Sequence, residues 1–436
     1  MNNHTKLNNL SEKTLADFVI QRREEPDIFA WVDSFSEAIQ YLSGIGHNMY
    51  RRVMLSANSN RVIVEDPLTK KELEMIMMGS NSYLGLNNHP RVIKAAKDAI
   101  EKYGTGAGSP PHFSGYYDVH RKLEANLAWL KGAEDAMLFA SGYSTNVGIL
   151  SCFMGAKDTI IIDKLAHASI IDGALLSGAK LSTFRHNDMN SLERVLSQSQ
   201  KNTNGDRMVV VEGVYSMDGD IAPLDDIYHL TQKYKAKMMV DEAHATGVLG
   251  KTGKGSPEHF NLEGKIDLVM GTFSKSLGGV GGFVAARKPV IEYMRYYSRA
   301  YFFAASPTPP QVAAQNEGVN VLREEPKWHN QLWENIRYFH SELKKRNFDI
   351  ERTQTAITPI VIGETEKMRK VTKFMHDHLV FVNPVPYPAV PKKKDRLRLS
   401  LSAAHTKEDL DKVLDVLDQA NKEFSFSSLN ESSEEE

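Results

Sequence analysis

A single lysine, Lys275, ends the apolar run in DLVMGTFSKSLGGVGG (267–282) and directly precedes a glycine-rich segment. Polar residues follow other apolar runs in the same way, namely Ser141-Gly142-Tyr143, His167, Ser216, and Asp241 with His244. Taken singly, each has a more ordinary interpretation: a solvated lysine, a capping histidine, a structural carboxylate or a simple strand-to-helix turn. Together they predict a site for covalent chemistry, because a lysine amine held at a strand end can attack a carbonyl group.

One cofactor requires this combination of groups. Lys275 would form the covalent link to an aldehyde, and its neutral amine would later move protons. Asp241 would keep a pyridine ring nitrogen protonated, and a flat side chain would stack on the ring. The backbone N–H groups of the turn at Ser141-Gly142-Tyr143, at the start of a helix, suit a phosphate group. These requirements are those of pyridoxal 5'-phosphate, and no metal ion is expected.

The elements that must hold these residues alternate along the chain. Helical patterns separate the apolar runs AMLFASGY, DTIIID, RMVVVEGVYS, AKMMVDEAH and IDLVMGTFS. Such runs are typical of parallel strands that are buried on both faces. In a parallel α/β sheet, a ligand binds beyond the carboxyl ends of the strands. We therefore expect the five segments to converge on one crevice.

Two glycine-rich segments invite a different interpretation. GTGAGS (104–109) lacks the spacing of a dinucleotide-binding turn, and it follows a helical pattern rather than a strand. GKTGKGS (250–256) lacks the spacing of a phosphate-binding P-loop, so a surface turn is expected there. The sequence therefore does not predict a nucleotide site.

The composition excludes several classes of protein. The 436 residues include 53 Lys and Arg against 55 Asp and Glu, so no net charge favours nucleic acid as a partner. A single cysteine excludes an internal disulfide and is typical of a reducing compartment. No apolar run reaches the ~20 residues of a transmembrane helix, and the first residues lack the apolar core of a signal peptide. We expect a soluble, cytoplasmic protein.

Changes of pattern along the chain predict four regions. They are an N-terminal arm with a small-domain segment (1–79), a large cofactor-binding domain (80–320), a small C-terminal domain (321–424) and a disordered acidic tail (425–436). In the first region, DIFAWVDSFSEAIQYL predicts a helix, and NRVIVED and KELEMIMMGS predict strands. In the third, RLRLSLSA predicts a strand and TKEDLDKVLDVLDQANKEF an amphipathic helix.

Six motifs, in order, resemble those of the α-oxoamine synthases. They are GSNSYLGL, HASIIDGALLSGA, EGVYSMDGDIAPL, VDEAHATGVLG, TFSKS and RLRLSLSAAHT. The resemblance extends from about Gly79 to about Phe424. It implies the fold-type I pyridoxal phosphate-dependent transferase fold of the α/β class, with a mainly parallel sheet in the large domain and a smaller α/β C-terminal domain. Members of this family condense an amino acid with an acyl thioester and release carbon dioxide.

The resemblance also implies roles for individual residues. Lys275 would carry the cofactor, Asp241 would contact the ring nitrogen, and His167 would stack on the ring and contact the substrate. Further cofactor contacts would come from Ser141, Gly142, Tyr143, Ser216, His244 and Thr272. Asn81 and Arg398 match the groups that hold the carboxylate of the amino acid, to which an arginine fork is suited. Arg396, two residues away on the same strand face, is the alternative.

Two segments depart from the family pattern. In a homodimer of this family, a Ser or Thr of the neighbouring subunit contacts the phosphate. Here Ala304 and Ala305 take those places, so only backbone contact can remain. The loop GAGSPPHFSGYYDVH, which borders the substrate in the family, also differs from most relatives. These departures leave room for an unusual substrate.

Within the family, the C-terminal segment VFVNPVPYPAVPKKKDRLRLSLSAAHT is most similar to that of soluble bacterial serine palmitoyltransferase. The expected reaction joins L-serine to a long acyl chain, carried by coenzyme A or an acyl carrier protein, to give a 3-oxo-sphingoid base. A glycine or alanine C-acyltransferase of the 2-amino-3-oxobutyrate or 8-amino-7-oxononanoate type remains the alternative. An aminotransferase needs the same cofactor, and only its products would distinguish it. Lys275 and Asp241 argue against a non-catalytic subunit.

Overall fold

The computed structural model describes residues 13–14, 16–19, 27, 29, 31–202 and 205–426. Most of the first 30 residues of the predicted N-terminal region (1–79) and nearly all of the predicted acidic tail lie outside these residues. The described chain forms two compact units. One contains the residues up to Ser80, Met217–Gly219 and the residues from Trp333 onward; the other contains Asn81–Ser216 and Asp220–Leu332. The predicted boundaries of the four regions stay a prediction.

The strands, numbered in chain order, are β1 (Arg61–Glu65), β2 (Glu72–Met77), β3 (Asp135–Phe139), β4 (Thr159–Asp163), β5 (Lys180–Phe184), β6 (Arg207–Glu212), β7 (Lys237–Asp241), β8 (Leu268–Thr272), β9 (Gly282–Ala286), β10 (Ile357–Gly363), β11 (Val380–Phe381), β12 (Asn383–Val385) and β13 (Asp395–Ser400).

The helices are α1 (Val32–Gly44), α2 (Pro90–Tyr103), α3 (Asp118–Lys131), α4 (Gly142–Phe153), α5 (Ala168–Ser177), α6 (Met189–Asn202), α7 (Leu224–Tyr234), α8 (Ser256–His259), α9 (Lys288–Tyr297), α10 (Arg299–Phe302), α11 (Pro309–Glu324), α12 (Lys327–Lys345), α13 (Thr365–Asp377) and α14 (Lys407–Phe424). A short 3-10 helix spans Leu86–Asn88.

The larger unit is built on a seven-stranded sheet of order β3-β9-β8-β7-β6-β4-β5. The strands from β8 to β5 pair in parallel, whereas β9 pairs antiparallel with both β8 and β3. The predicted, mainly parallel sheet is thus confirmed, and all five predicted apolar runs form strands. The five runs all point in the same direction, and β9, which lies between β3 and β8, runs opposite to both. Neither β9 nor β5 was predicted.

Both faces of this sheet are buried, as the continuous apolar runs predict. Ile160 and Ile162 of β4 lie in one apolar cluster, with residues of α4 and α5. Ile161, between them, lies in a second cluster with residues of α6 and α7. Alternate residues of one strand therefore pack against helices on opposite sides. The carboxyl ends of the parallel strands remain at one edge, where their loops begin.

The other unit contains two small sheets, of order β1-β2-β11 and β10-β13-β12. The predicted strands near residues 61, 72 and 396 are present, and so is the C-terminal helix α14. Thr406 caps α14 and accepts a hydrogen bond from the Asp409 N–H at 3.2 Å. Within the described part of the chain, no helix is long and apolar enough to cross a membrane.

A histidine clamp holds two of the loops at the carboxyl edge of the large sheet. His186, just after β5, contacts Asp163 of β4 through Nδ1 at 3.0 Å and Asp220 through Nε2 at 2.7 Å. Burial opposes the imidazolium form, but the hydrogen bonds and charges of the two carboxylates outweigh it and raise the pKa of His186 to about 10. Asp163 lies four residues before His167, and Asp220 lies four residues after Ser216.

We expect His186→Gln to destabilise the protein by about 1–3 kcal/mol near pH 6.5, since charged hydrogen bonds are lost. Because the folded pKa is raised above the unfolded value, this stabilisation is fully present below about pH 6.5 and is lost as the pH rises through about 10. Thermal unfolding should therefore show a difference from wild type that shrinks between these two values. His229→Gln, at an exposed position of α7, is the matched control. A difference that stays constant with pH would show that His186 is not charged in the fold.

Candidate active site

A cavity of about 230 Å³ lies at the carboxyl edge of the large sheet, within one unit of the chain. Its walls come from the ends of β6, β7 and β8, and from the first turns of α4 and α5. The lining residues are Ser141, Gly142, Tyr143, Asn146, His167, Ser169, Glu212, Asp241, Ala243, His244, Met270, Thr272, Ser274 and Lys275. Most of the predicted site residues therefore lie together beyond the carboxyl ends of the strands, as expected for a parallel α/β sheet.

The remaining predicted residues lie elsewhere. Asn81 is linked to the cavity through Tyr83, whose hydroxyl lies 3.3 Å from the Asn81 Oδ1 and 2.7 Å from the His244 Nδ1. Ser216, Ala304 and Ala305 are outside the lining. Arg398 belongs to the other unit. Their predicted roles, like those of the cavity residues, stay predictions.

One end of the cavity suits a phosphate group. Ser141 is the N-cap of α4, and its hydroxyl accepts a hydrogen bond from the Ser144 N–H at 3.0 Å. A Cβ added at Gly142 would lie 3.1 Å from the Thr272 side chain, so glycine keeps this approach open. The Thr272 hydroxyl lies 2.9 Å from that of Ser274. Helix N–H groups beside two hydroxyls form a natural anion site.

Two carboxyl groups meet at the other end. Asp241 pairs with Glu212 across the neighbouring strands β7 and β6, and both are almost fully buried. Burial raises the pKa of Glu212 well above its usual value, and the charge of Asp241 raises it further. Both Asp241 oxygens accept hydrogen bonds, from the Asn146 Nδ2 at 2.8 Å and the Ala243 N–H at 2.9 Å. A second negative charge at Glu212 is therefore disfavoured, while both Asp241 oxygens have hydrogen-bond donors.

His167 stands at the N-terminus of α5 and faces the cavity. Its backbone N–H donates to Glu212 Oε1 at 2.7 Å, and its imidazole Nδ1 lies 2.7 Å from the Ser169 hydroxyl. Lys275, half-buried after β8, lies close enough for its charge to lower the pKa of Glu212. A flat ring, an amine and a buried carboxylate thus surround one space. This donor set fits pyridoxal phosphate: an aldehyde partner, a ring-nitrogen partner, a stacking ring and an anion site.

The two arginines of β13 differ in their partners. The Arg396 side chain is 2% exposed and forms an ion pair with Asp218 at 2.8 Å, with Glu351 at 3.9 Å. Arg398 donates from Nη1 to the Ser400 hydroxyl at 3.1 Å. Because internal carboxylates already engage the Arg396 guanidinium, Arg398 is the better candidate for the carboxylate of a substrate. Arg398 is also the residue that the family resemblance implies, and its role stays a prediction.

The sequence did not predict that Glu212, Asn146 and Ser169 line the cavity. Glu212 is the last residue of β6, a position where a ligand contact is expected, but the prediction instead selected Ser216 from the motif EGVYSMDGD. Asn146 and Ser169 lie on α4 and α5, and their hydrogen bonds join residues far apart in sequence. Only the packing of the two helices brings them to the cavity.

Comparison with known proteins places this geometry in a family. The pattern of the class I and II aminotransferases matches residues 74–417. The chain is 42% identical to an 8-amino-7-oxononanoate synthase of Thermoanaerobacter pseudethanolicus, over 91% of this chain and 98% of that one. It is 40% identical to a serine palmitoyltransferase of Sphingobacterium spiritivorum, over 90% and 96%. A solved serine palmitoyltransferase of S. paucimobilis superposes with a TM-score of 0.86 at 33% identity, over 92% and 99% of the two chains.

These likenesses span nearly the whole length of each relative, and they agree with the motifs and with the arrangement of the cavity. Two of the solved serine palmitoyltransferases carry pyridoxal phosphate, one as an aldimine with myriocin and one as the internal aldimine. The chain belongs to the α-oxoamine synthase family of pyridoxal phosphate-dependent acyltransferases.

Proposed function

We propose that this chain condenses L-alanine with a pimeloyl thioester, with loss of carbon dioxide and release of the thiol, as in the 8-amino-7-oxononanoate synthases. The observation that carries the chemistry is the convergence of Lys275 and the buried Asp241 on one cavity. The choice of substrates is supported by the 42% identity to a synthase named for this product. The product itself contains the carbon skeleton of alanine, without its carboxyl group, joined to a seven-carbon diacid.

Each of these cavity residues has a separate role in the proposed reaction. When bound, pyridoxal phosphate supplies a ring that accepts the electrons left at the α-carbon of the amino acid. Lys275 would hold the cofactor covalently and afterwards move a proton at that carbon. Asp241 would keep the ring nitrogen protonated. Thr272 and the N-terminus of α4 would bind the phosphate, and His167 would lie against the ring and orient the reacting groups.

The carboxylate of the amino acid needs a cationic partner until carbon dioxide leaves. Arg398 is our candidate, because Arg396 is committed to Asp218 and Glu351. A planar guanidinium binds a carboxylate through two parallel hydrogen bonds. Asn81 is the second candidate contact, and its link through Tyr83 to His244 would fix its position relative to the ring.

A second candidate function is the condensation of L-serine with a long-chain acyl thioester, the reaction that we expected from the sequence. The loop around Phe113 favours it. Phe113 is 78% exposed and Tyr116 is 45% exposed, while His112 packs between Tyr296 and Phe302, with ring centroids 5.0 and 4.6 Å away. This loop borders the substrate in the family, and an apolar wall there would stabilise a long acyl tail by about 0.8 kcal/mol per buried methylene.

A matrix of substrates distinguishes the two candidates. Alanine, glycine and serine are each combined with acetyl, pimeloyl and palmitoyl thioesters, on coenzyme A and on a carrier protein, and products are identified by mass. We expect alanine with the pimeloyl thioester to give the highest kcat/KM, and glycine, which lacks one methyl group, to be about tenfold or more slower. In the same assay, Arg398→Gln should raise the KM for the amino acid.

Serine with the palmitoyl thioester as the best pair would establish the second candidate instead. Amino transfer without release of carbon dioxide would contradict both. Lys275→Ala, which lacks the amine, is the control for reaction outside the site.

We propose that the active protein is a homodimer. Three aromatic side chains just before Ala304 are between 62% and 71% exposed, namely those of Tyr296, Tyr297 and Phe303. In this family, the segment around Ala304 reaches the cofactor of the neighbouring subunit. Clustered exposed aromatic residues are typical of interfaces. Sedimentation at micromolar concentration should show a dimer, and a fully active monomer would contradict the proposal.

A further inference from the structure

A polar chain connects the two groups that would flank the cofactor ring. Asn146 donates from Nδ2 to Asp241 Oδ2 at 2.8 Å and to the Ser169 hydroxyl at 2.9 Å. The Ser169 hydroxyl in turn lies 2.7 Å from the Nδ1 of His167. Asn146 and Ser169 are 1% and 0% exposed, and both line the cavity. The chain therefore begins among buried groups, where a hydrogen bond has few competitors, and ends at the exposed residue His167.

The direction of each hydrogen bond follows from the chemistry of the groups. A carboxylate only accepts, so the Asn146 amide must present its NH₂ group to Asp241. The same NH₂ group donates to the Ser169 oxygen, which leaves the Ser169 O–H to donate to His167 Nδ1. The Ser169 backbone N–H points at the same nitrogen, at 3.3 Å. Two donors thus face Nδ1, so Nδ1 accepts and the ring proton belongs on Nε2.

We infer that Asn146 and Ser169 are positioning residues, which fix His167 as the tautomer with its proton on Nε2 and join it to Asp241. The inference rests on the proposed function for its consequence in catalysis. With Nδ1 occupied by the start of α5, the N–H on the opposite edge of the ring is the one that can donate to an oxygen of a bound substrate. The same asparagine also orients the carboxylate for the ring nitrogen.

The tautomer of His167 decides whether the edge of its ring that faces the substrate donates or accepts a hydrogen bond. A ring that exchanges tautomers would present either a donor or an acceptor to the substrate. A ring with a fixed tautomer presents only a donor. Glu212 adds to the restraint, because its carboxyl accepts the backbone N–H of His167 at 2.7 Å and so fixes the residue at its other end.

The test is the tautomer itself, read from the ¹⁵N resonances of selectively labelled histidine in the holoenzyme. The His167 signals are assigned by their loss in His167→Gln. We expect wild type to show Nδ1 without a proton and Nε2 with one. Ser169→Ala removes the hydroxyl donor, and Asn146→Leu removes the amide that orients it. Both variants should shift the His167 signals towards a mixture of the two tautomers, and Ser169→Ala should lower kcat by about tenfold once a substrate pair is known.

Ser177→Ala is the matched control, since Ser177 lies on the same helix and bonds to the Ala174 carbonyl, outside the cavity. Its His167 signals should equal those of wild type. A proton on Nδ1 in wild type, or wild-type signals in both Ser169→Ala and Asn146→Leu, would overturn the inference. The NMR result requires no turnover, so a failure of the proposed substrates in the mass assay is distinguishable from a failure here.

Discussion

Asp241 is a carboxylate almost wholly removed from water at the edge of a parallel sheet, and the arrangement of the site depends on keeping its charge there. An isolated buried carboxylate would be strongly disfavoured, so its oxygens must be matched by donors. Asn146 and the Ala243 N–H supply them. Burial and the charge of Asp241 raise the pKa of Glu212, the neighbour on the next strand, well above its usual value. Asp241 therefore lies beside a carboxyl group at which a second negative charge is disfavoured, and its own carboxylate suits the nitrogen of a pyridine ring.

The parallel order of the strands explains why the other groups arrive at the same place. Strands β8, β7, β6 and β4 end at one edge, and the chain that leaves them supplies Lys275, Asp241, Glu212 and His167. Two helices begin there as well, and their first turns carry the anion site at Ser141 and the imidazole of His167. His186 follows β5, Asp163 ends β4 and Asp220 lies in the segment after β6. The contacts of His186 with the two carboxylates therefore connect three strands that are neighbours in the sheet. The sheet thus brings the groups to one edge, and hydrogen bonds between side chains set their orientation there.

The parts of this arrangement that follow from local pattern could be predicted. Lys275, Asp241 and His167 each follow an apolar run, and the run marks a buried strand whatever its neighbours are. The edge strand β5 escaped prediction because, of its five residues, only Phe184 is buried. Strand β9 escaped because its run GFVAA continues a glycine-rich segment. Asn146, Ser169 and His186 could not be found, since their partners come from distant segments that only the strand order and the helix packing bring together. The ion pair of Arg396 with Asp218, which supports the earlier choice of Arg398, likewise joins segments far apart in the sequence.

The most direct test of the central claim is to trap the cofactor on the protein. Holoenzyme is reduced with borohydride and digested, and the modified lysine is located by mass spectrometry, in wild type, Lys275→Ala and Asp241→Asn. Our account predicts the label on Lys275 in wild type and in Asp241→Asn, and none in Lys275→Ala. It also predicts that Asp241→Asn, which keeps the shape but loses the charge, condenses substrates roughly 100-fold more slowly, about 3 kcal/mol of transition-state stabilisation. A label on another lysine in wild type, or an Asp241→Asn variant within a few-fold of wild-type activity, would contradict the account.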